Sequence, residues 1–275
     1  MLELRRLRLL HELSLRGTLA AVAEALSYSP STVSQQLAQL EKDAGVALLA
    51  PDGRRVRLTA QGELLAAYAA RVLEGEESIR AQLAADVPGG TVVRIAIMQT
   101  AAHGILPAAL SLLARREPEL RVEVVETPPE EGLFELAARR FDLVVAEQYP
   151  GHTRAHREGV VRHPIGSDPI RLALPRADRA RALADLAGRA WVLEPEGTAA
   201  RQWAVQQCRA AGFEPDVRFE TADLTAHVAL VSAGHAVGVL PDLVWAGATP
   251  SVRLVELEDA PAREDRKSTR LNSSH

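Results

Sequence analysis

Between Ser29 and Leu40 the chain sets Ser31, Thr32, Ser34, Gln35, Gln36 and Gln39 around the apolar trio Val33, Leu37 and Leu40. The apolar residues recur at i, i+4 and i+7, so a helix there buries one face and shows hydroxyls and amides on the other. Short hydroxyls reach phosphates or base edges, and a Gln can grip adenine through N6 and N7. The N-terminus of such a helix adds unpaired N–H groups and a partial positive charge for a phosphate. A helix that merely borders solvent could carry the same polar face. Further on, Arg54, Arg55 and Arg57 cluster at Pro51-Asp52-Gly53, a turn signal between the apolar-alternating stretches Val46–Leu49 and Arg55–Leu58. Guanidinium groups on a hairpin tip supply salt-dependent backbone contacts that do not choose a sequence.

These residues need helices to hold them. Leu4, Leu7 and Leu10 mark a first helix over about Leu2–Leu15 that stops at Gly17, and Thr18 caps a second carrying Leu19, Val22, Ala23 and Leu26. Ser27-Tyr28-Ser29 is a polar break, after which Ser29 caps the third helix with Pro30 at its first position. Two short helices joined by a three-residue turn make a helix-turn-helix, whose second helix enters a DNA major groove. Thr59 caps a long helix to about Ala85, in which Leu65, Tyr68, Val72, Gly75, Ile79 and Gln82 follow a 3-4 spacing. That seam could pack on a core, but its place between domains favours pairing two chains.

Residues 4–73 resemble the winged helix of LysR-type transcriptional regulators. The resemblance rests on Gly17-Thr18-Leu19, Ala23, Leu26, Pro30-Ser-Thr-Val-Ser34-Gln-Gln-Leu37, Leu40-Glu41, Gly45, Leu48 and Arg55-Val-Arg-Leu-Thr59-Ala-Gln-Gly62. Leu49 and Pro51 depart from the aromatic and arginine usual before the wing. The resemblance implies that double-stranded promoter DNA is met by Thr18, Ser29, Pro30, Ser31, Thr32, Ser34, Gln35 and Gln36, with Arg54 and Arg55 on the backbone. It also implies a homodimer or homotetramer through the long helix, with RNA polymerase a further candidate partner.

Beyond Val87-Pro88-Gly89-Gly90 the composition changes, and β-branched runs alternate with Ala/Leu-rich helical stretches. The runs are Val92–Met98, Arg121–Glu126, Asp142–Glu147, Pro169–Leu174, Ala190–Leu193, Val217–Thr221 and Ala236–Leu240. This pattern predicts an α/β architecture with a largely parallel sheet. Residues 91–262 resemble the LysR effector domain, which is two-lobed and type 2 periplasmic-binding-protein-like, through Leu106-Pro107, Glu117-Pro118, Phe141-Asp142 and Gly234 through Gly238 to Pro241. The expected units are 1–58, 59–87, 91–163 and 164–262, with 263–275 a polar tail.

Ligands of open α/β sheets sit beyond the carboxyl ends of strands. For a small-molecule effector in an inter-lobe cleft that singles out Gln99, Thr100, Ala101, Glu147, Glu196, Thr198 and Thr221. Hydroxyls at helix starts suit a carboxylate, whereas Glu147 and Glu196 suit a polar or cationic group. Thr198 and Asp223 also read as plain caps.

The rest of the chain narrows the field. The 32 Lys plus Arg against 36 Asp plus Glu leave a net charge of −4, so any hold on DNA must be a local patch. A single cysteine, Cys208, excludes an internal disulfide and reads as buried filler. No nucleophile elbow, P-loop, dinucleotide fingerprint or zinc-helix motif occurs, so no catalytic residue, metal or cofactor is expected. His152 and His156, with His163 beyond, read as solvated loop. The leading residues mix Leu with Glu and Arg, and no run spans a membrane, so a cytoplasmic location is expected. Arg266–His275 reads as an appended scar in place of a natural C-terminus. The expected function is a DNA-binding transcriptional regulator answering to a small molecule. The alternative is a solute-binding or transport accessory protein with the same two-lobed fold.

Overall fold

The computed structural model describes residues 2–53, 55–85, 92–152 and 160–270, and the chain divides into two compact units, Met1–Thr91 and Val92–His275. The first unit runs α1 (Leu4–Arg16), α2 (Leu19–Ala25), α3 (Pro30–Ala44), β1 (Leu49–Asp52), β2 (Arg55–Leu58) and α4 (Ala60–Ala85). Its boundaries follow local chemistry. Gly17 and Gly45 end α1 and α3 at φ +73°, while Thr18 and Ser29 accept from Ala21 and Thr32 N–H to start α2 and α3. Leu7, Leu10, Val22, Val33, Leu37, Leu40 and Leu48 bury one core, closed by Ala66 and Ala69 of α4. Each large side chain there contributes about 1.5–3 kcal/mol.

The hairpin differs from the sequence expectation. Its first strand is Leu49–Asp52 and not Val46–Leu49, and Pro51 lies in the ladder opposite Val56. The Glu41 carboxylate accepts from Leu48 N–H (2.8 Å) and Leu49 N–H (3.0 Å), satisfying them from α3 and setting where the ladder starts. A two-stranded ribbon tolerates proline, because its outer edge needs no donor. Arg54 lies outside the described residues.

The joint from wing to α4 is tight. Thr59 N–H donates to the Leu48 carbonyl (2.9 Å), Thr59 Oγ1 donates to the Ala47 carbonyl (2.8 Å), and Gly62 N–H donates to Thr59 Oγ1 (3.0 Å). On α4 the expected seam divides between the core and solvent. Leu65 and Val72 pack against the core, and Ala69 and Leu73 are buried, whereas Leu64, Tyr68, Ile79 and Leu83 are exposed.

The second unit begins with β3 (Val92–Ile97), α5 (Gln99–Gly104), α6 (Leu106–Arg116), β4 (Arg121–Glu126), α7 (Pro129–Ala137) and β5 (Leu143–Gln148). β6 (Val160–Leu174) leads to β7 (Ala190–Leu193), α8 (Ala199–Ala210), β8 (Asp216–Glu220), α9 (Leu224–Ser232), β9 (Gly238–Pro241), β10 (Arg253–Glu256) and β11 (Ala262–Arg270). β3 pairs in parallel with β4 and β5, and β7 in parallel with β8. The expectation of a largely parallel sheet fails at the centre. β6 and β11 are antiparallel to each other, β11 is antiparallel to β5, and β9 and β10 are antiparallel to β6.

β6 changes neighbours partway, from β11 along 160–169 to β9 and β10 along 170–174. It therefore runs from one lobe into the other as an unbroken strand, and the expected 163/164 division falls inside it. The reading of 263–275 as a polar tail is corrected likewise, since Ala262–Arg270 is a strand between β5 and β6. Its Arg263, Asp265 and Ser268 are buried but polar, which hid the strand from a reading based on apolar alternation. Residues 271–275 and the composition break at 86–91 lie outside the described residues.

Candidate functional site

Two places gather the residues singled out in the sequence, one in each unit. In the first, α3 buries Val33, Leu37 and Leu40 and turns Pro30, Ser31, Ser34 and Gln35 to solvent. Ser29 Oγ lies 2.8 Å from both Ser31 Oγ and Thr32 Oγ1, so three hydroxyls crowd the helix start. Gln36 is half-buried and its Oε1 accepts from Arg6 Nε (3.1 Å), while Arg6 also pairs with Asp43. That places Gln36 on the flank facing α1, apart from exposed Gln35. Thr18 is half-buried and spends its hydroxyl oxygen on the α2 cap. Arg55 and Arg57 are exposed on β2. The result is a helix N-terminus with short hydroxyls and one free-standing amide, in the same unit as a basic ribbon.

In the second unit a cavity of about 280 Å³ opens at the carboxyl ends of β3, β4, β5, β7 and β8. Of the expected contacts, Gln99, Thr100, Glu147 and Thr198 line it, and Ala101, Glu196 and Thr221 do not. Ala101 is fully buried among Ile97, Met98 and Val145. Glu196 is exposed beside Arg201, and Thr221 holds a turn, its hydroxyl accepting from Asp223 N–H and its carbonyl from His227 Nε2–H. Burial lowers the His227 pKa, so the ring is a neutral donor there. Thr198 caps α8, accepting from Arg201 N–H (3.2 Å) and donating to the Pro195 carbonyl (2.9 Å).

Gln99 does something the sequence did not suggest. Its amide donates to Asp223 Oδ1 (3.1 Å) and its carbonyl accepts from Leu224 N–H (3.0 Å), linking the starts of α5 and α9 from opposite lobes. A second link runs through Arg263 of β11, which is 2% exposed. Its guanidinium donates to Asp168 Oδ2 (2.9 Å) and Thr100 Oγ1 (2.6 Å), and Asp265 lies 3.8 Å away. Asp168 in turn accepts from Leu243 N–H (2.9 Å). Burial opposes the Arg263 charge, yet the surrounding Tyr149, Glu147, Asp168 and Asp265 raise its pKa above the ordinary value.

Sequence reasoning missed Arg263 and Glu194. The only signal for Arg263 was the period of two that places it and Asp265 on one face of β11.

Glu194 lines the same cavity, and burial together with the Glu147 charge pushes it up to about 7. Because its folded value lies above its ordinary 4.5, the folded state holds this proton more tightly. Its contribution to stability is therefore full below about pH 4.5 and is lost as pH rises to about 7. Glu194→Gln removes that loss. We expect the variant to match the wild type at pH 4.5 and to exceed it by about 1–3 kcal/mol at pH 8 in urea unfolding. An equal difference at both pH values would contradict the assignment.

Cys208 sits in the core of the second lobe beside Trp191 and Trp203, fully buried, with its thiol pushed up to about 12 by burial and by Glu214. His156 lies outside the described residues. Among the described residues, no helix is long and apolar enough to cross a membrane.

Comparison with known proteins covers both units. Residues 4–63 match the family "Bacterial regulatory helix-turn-helix protein, lysR family", and residues 87–266 match "LysR substrate binding domain". The chain is 28% identical over 258 residues to the transcriptional dual regulator GltC of Bacillus subtilis strain 168, covering 90% of this chain and 84% of that protein. It is 28% identical over 229 residues to a hydrogen peroxide-inducible genes activator of Pectobacterium carotovorum, covering 80% of this chain and 74% of the other. The solved structure of full-length CbnR in complex with its target DNA superposes with a TM-score of 0.52 at 26% identity, covering 98% of this chain and 94% of that one.

Proposed function

The chain belongs to the LysR family of bacterial transcriptional regulators, a DNA-binding unit joined to an effector-binding domain, and we propose how its parts divide that work. Promoter DNA meets Ser31, Ser34 and Gln35 at the start of α3, with Arg55 on the phosphate backbone and Arg54, next in sequence, assigned the same role. Two copies pair along the exposed Leu64, Tyr68, Ile79 and Leu83 stripe of α4, which in a lone chain leaves large apolar side chains in water. A small molecule enters the 280 Å³ cavity and shifts the balance between DNA-bound arrangements, which requires different affinity for each. The protein acts by binding and not by catalysis, in the cytoplasm where its promoters are.

The observation that carries this reading is the polarity of α3: three core residues on one face, and exposed hydroxyls and an amide on the other. A solute-binding protein has no use for that helix or for its basic hairpin. Duplexes selected from a random pool give the test, with binding followed across a salt series. We expect Gln35→Ala to lower the preference for selected over scrambled duplex by about 5- to 100-fold, as loss of one bidentate base contact does. Arg55→Ala is expected to weaken both duplexes alike and to reduce the salt slope by about 1. Unchanged duplex preference in Gln35→Ala would remove the base-reading role.

Peroxide induction, the property named for the Pectobacterium relative, does not carry over through the thiol of this chain. We expect native Cys208 to react with iodoacetamide at least about 100-fold more slowly than in unfolded protein, and not to change with peroxide. Rapid modification of the native chain would show a conformer in which α8 opens.

A further inference from the structure

The cavity in the second unit has more acidic than basic groups in its lining. Glu147 projects from the end of β5 and Glu194 from the end of β7, both lining the cavity's interior, while exposed Glu126 and Glu130 stand at its rim. Among the described lining residues one guanidinium, Arg263, stands against these four carboxylates, and it is already held by Asp168, Asp265 and Thr100. Two helix starts at the cavity are capped by side chains, α8 by Thr198 and α9 by Asp223, and the first turn of α7 carries Glu130 and Glu131. An anionic ligand would meet carboxylates at the ends of β4, β5 and β7 and at the start of α7, and would compete with Asp168 for Arg263.

We propose that this cleft binds a small organic cation, an amine or guanidinium compound, with buried Glu147 and half-buried Glu194 as its counter-ions and Glu126 and Glu130 guiding it at the mouth. The proposal rests on the reading of the cleft as the effector site. Among the described residues no three His, Cys, Asp or Glu converge as a metal site requires, so the charge pattern suits a cation spread over several atoms and not a bare ion. The volume, near the lower end of small-molecule sites, suits a metabolite with a short chain.

The state of Glu194 agrees. With Glu147, Glu130, Arg263, Tyr149, Asp168 and Asp265 as its charged and titratable surroundings, it retains a proton near neutrality, and an arriving cation favours its ionised form. Binding at pH 6.5 then releases part of a proton.

The test is calorimetry on the full chain at pH 6.5 in two anionic buffers of different ionisation enthalpy. The probes are 1,4-diaminobutane, 4-aminobutylguanidine, succinate and butane-1,4-diol. We expect at least one amine to bind with a buffer-dependent enthalpy, and succinate and the diol not to bind. Glu194→Gln and Glu147→Gln each weaken the amine at least 10-fold, and Glu130→Gln, at the exposed rim, about 2- to 3-fold. Ala222→Trp, which fills the cavity from an exposed lining position, abolishes binding.

Succinate binding that Ala222→Trp blocks, with no amine bound, overturns the cation assignment and leaves the effector cleft standing. Amine binding indifferent to Ala222→Trp overturns the cleft reading as well. No binding by either amine also overturns the proposal.

Discussion

Gly62→Ala is expected to cost the N-terminal unit roughly 3–5 kcal/mol and with it all DNA binding, the size of effect reserved for a named structural collision. A Cβ at this position would stand 2.1 Å from the Leu48 carbonyl oxygen and 3.3 Å from Leu58 Cβ. The oxygen cannot retreat cheaply, because it accepts from Thr59 N–H, and Thr59 also ties the Ala47 carbonyl to the start of α4. Moving it would open the wing, α4 and the core beneath them together.

Gly75→Ala supplies the control. Apart from the adjoining backbone of α4 itself, no atom lies within 4 Å of its added carbon, and the exposed helix should gain about 0.5–1 kcal/mol from it. All three tryptophans, Trp191, Trp203 and Trp245, are in the second unit, so their fluorescence reports that unit alone. Thermal unfolding by circular dichroism should therefore lose its N-terminal component in Gly62→Ala while the tryptophan transition stays in place. A Gly62→Ala protein within 1 kcal/mol of wild type would mean that helix and wing do not approach as closely as described.

Arg263→Met is expected to destabilise the second unit by about 3–5 kcal/mol, because it leaves two buried carboxylates facing each other without their cation. The guanidinium satisfies Asp168, lies near Asp265 and donates to Thr100 at the start of α5. Removing one partner of such a cluster costs more than removing both, since the remaining charge has no water to turn to. The double change Arg263→Met with Asp168→Asn keeps an acceptor for Leu243 N–H and should recover about 2 kcal/mol or more of the loss. Tryptophan-monitored urea unfolding of the four proteins gives the coupling directly. Additive losses would show that the pair is not one unit.

The parts of the molecule that were legible in advance are those whose signals are local. Thr18, Ser29 and Thr59 each announce a helix start by side-chain chemistry that acts within three residues, and Gly17 and Gly45 mark the ends. The exposed face of α3 follows from helical spacing alone.

What escaped depends on partners far along the chain. Pro51 reads as a turn because its neighbours are Asp52 and Gly53, but Glu41 and Val56 make it part of a strand. β11 lacks apolar alternation because its inward residues are polar and find their partners on β6 and α5. Likewise Ala101 and Thr221 lie at the right ends of the right strands, yet one side chain turns into the lobe and the other into a local turn. Position after a strand selects the neighbourhood of a ligand, and only the direction of each side chain selects its contacts.

The place of β11 also governs how the chain can assemble during synthesis. Asp265 pairs with Glu147 on one side and Gly166 on the other, so β5 and β6 must wait for a segment translated roughly a hundred residues later. Until that segment clears the ribosome, each of them presents a bare row of backbone donors and acceptors, open to pairing with another nascent chain. The N-terminal unit closes its core from consecutive helices and has no such delay, so it can reach its final form while the remainder is still being made.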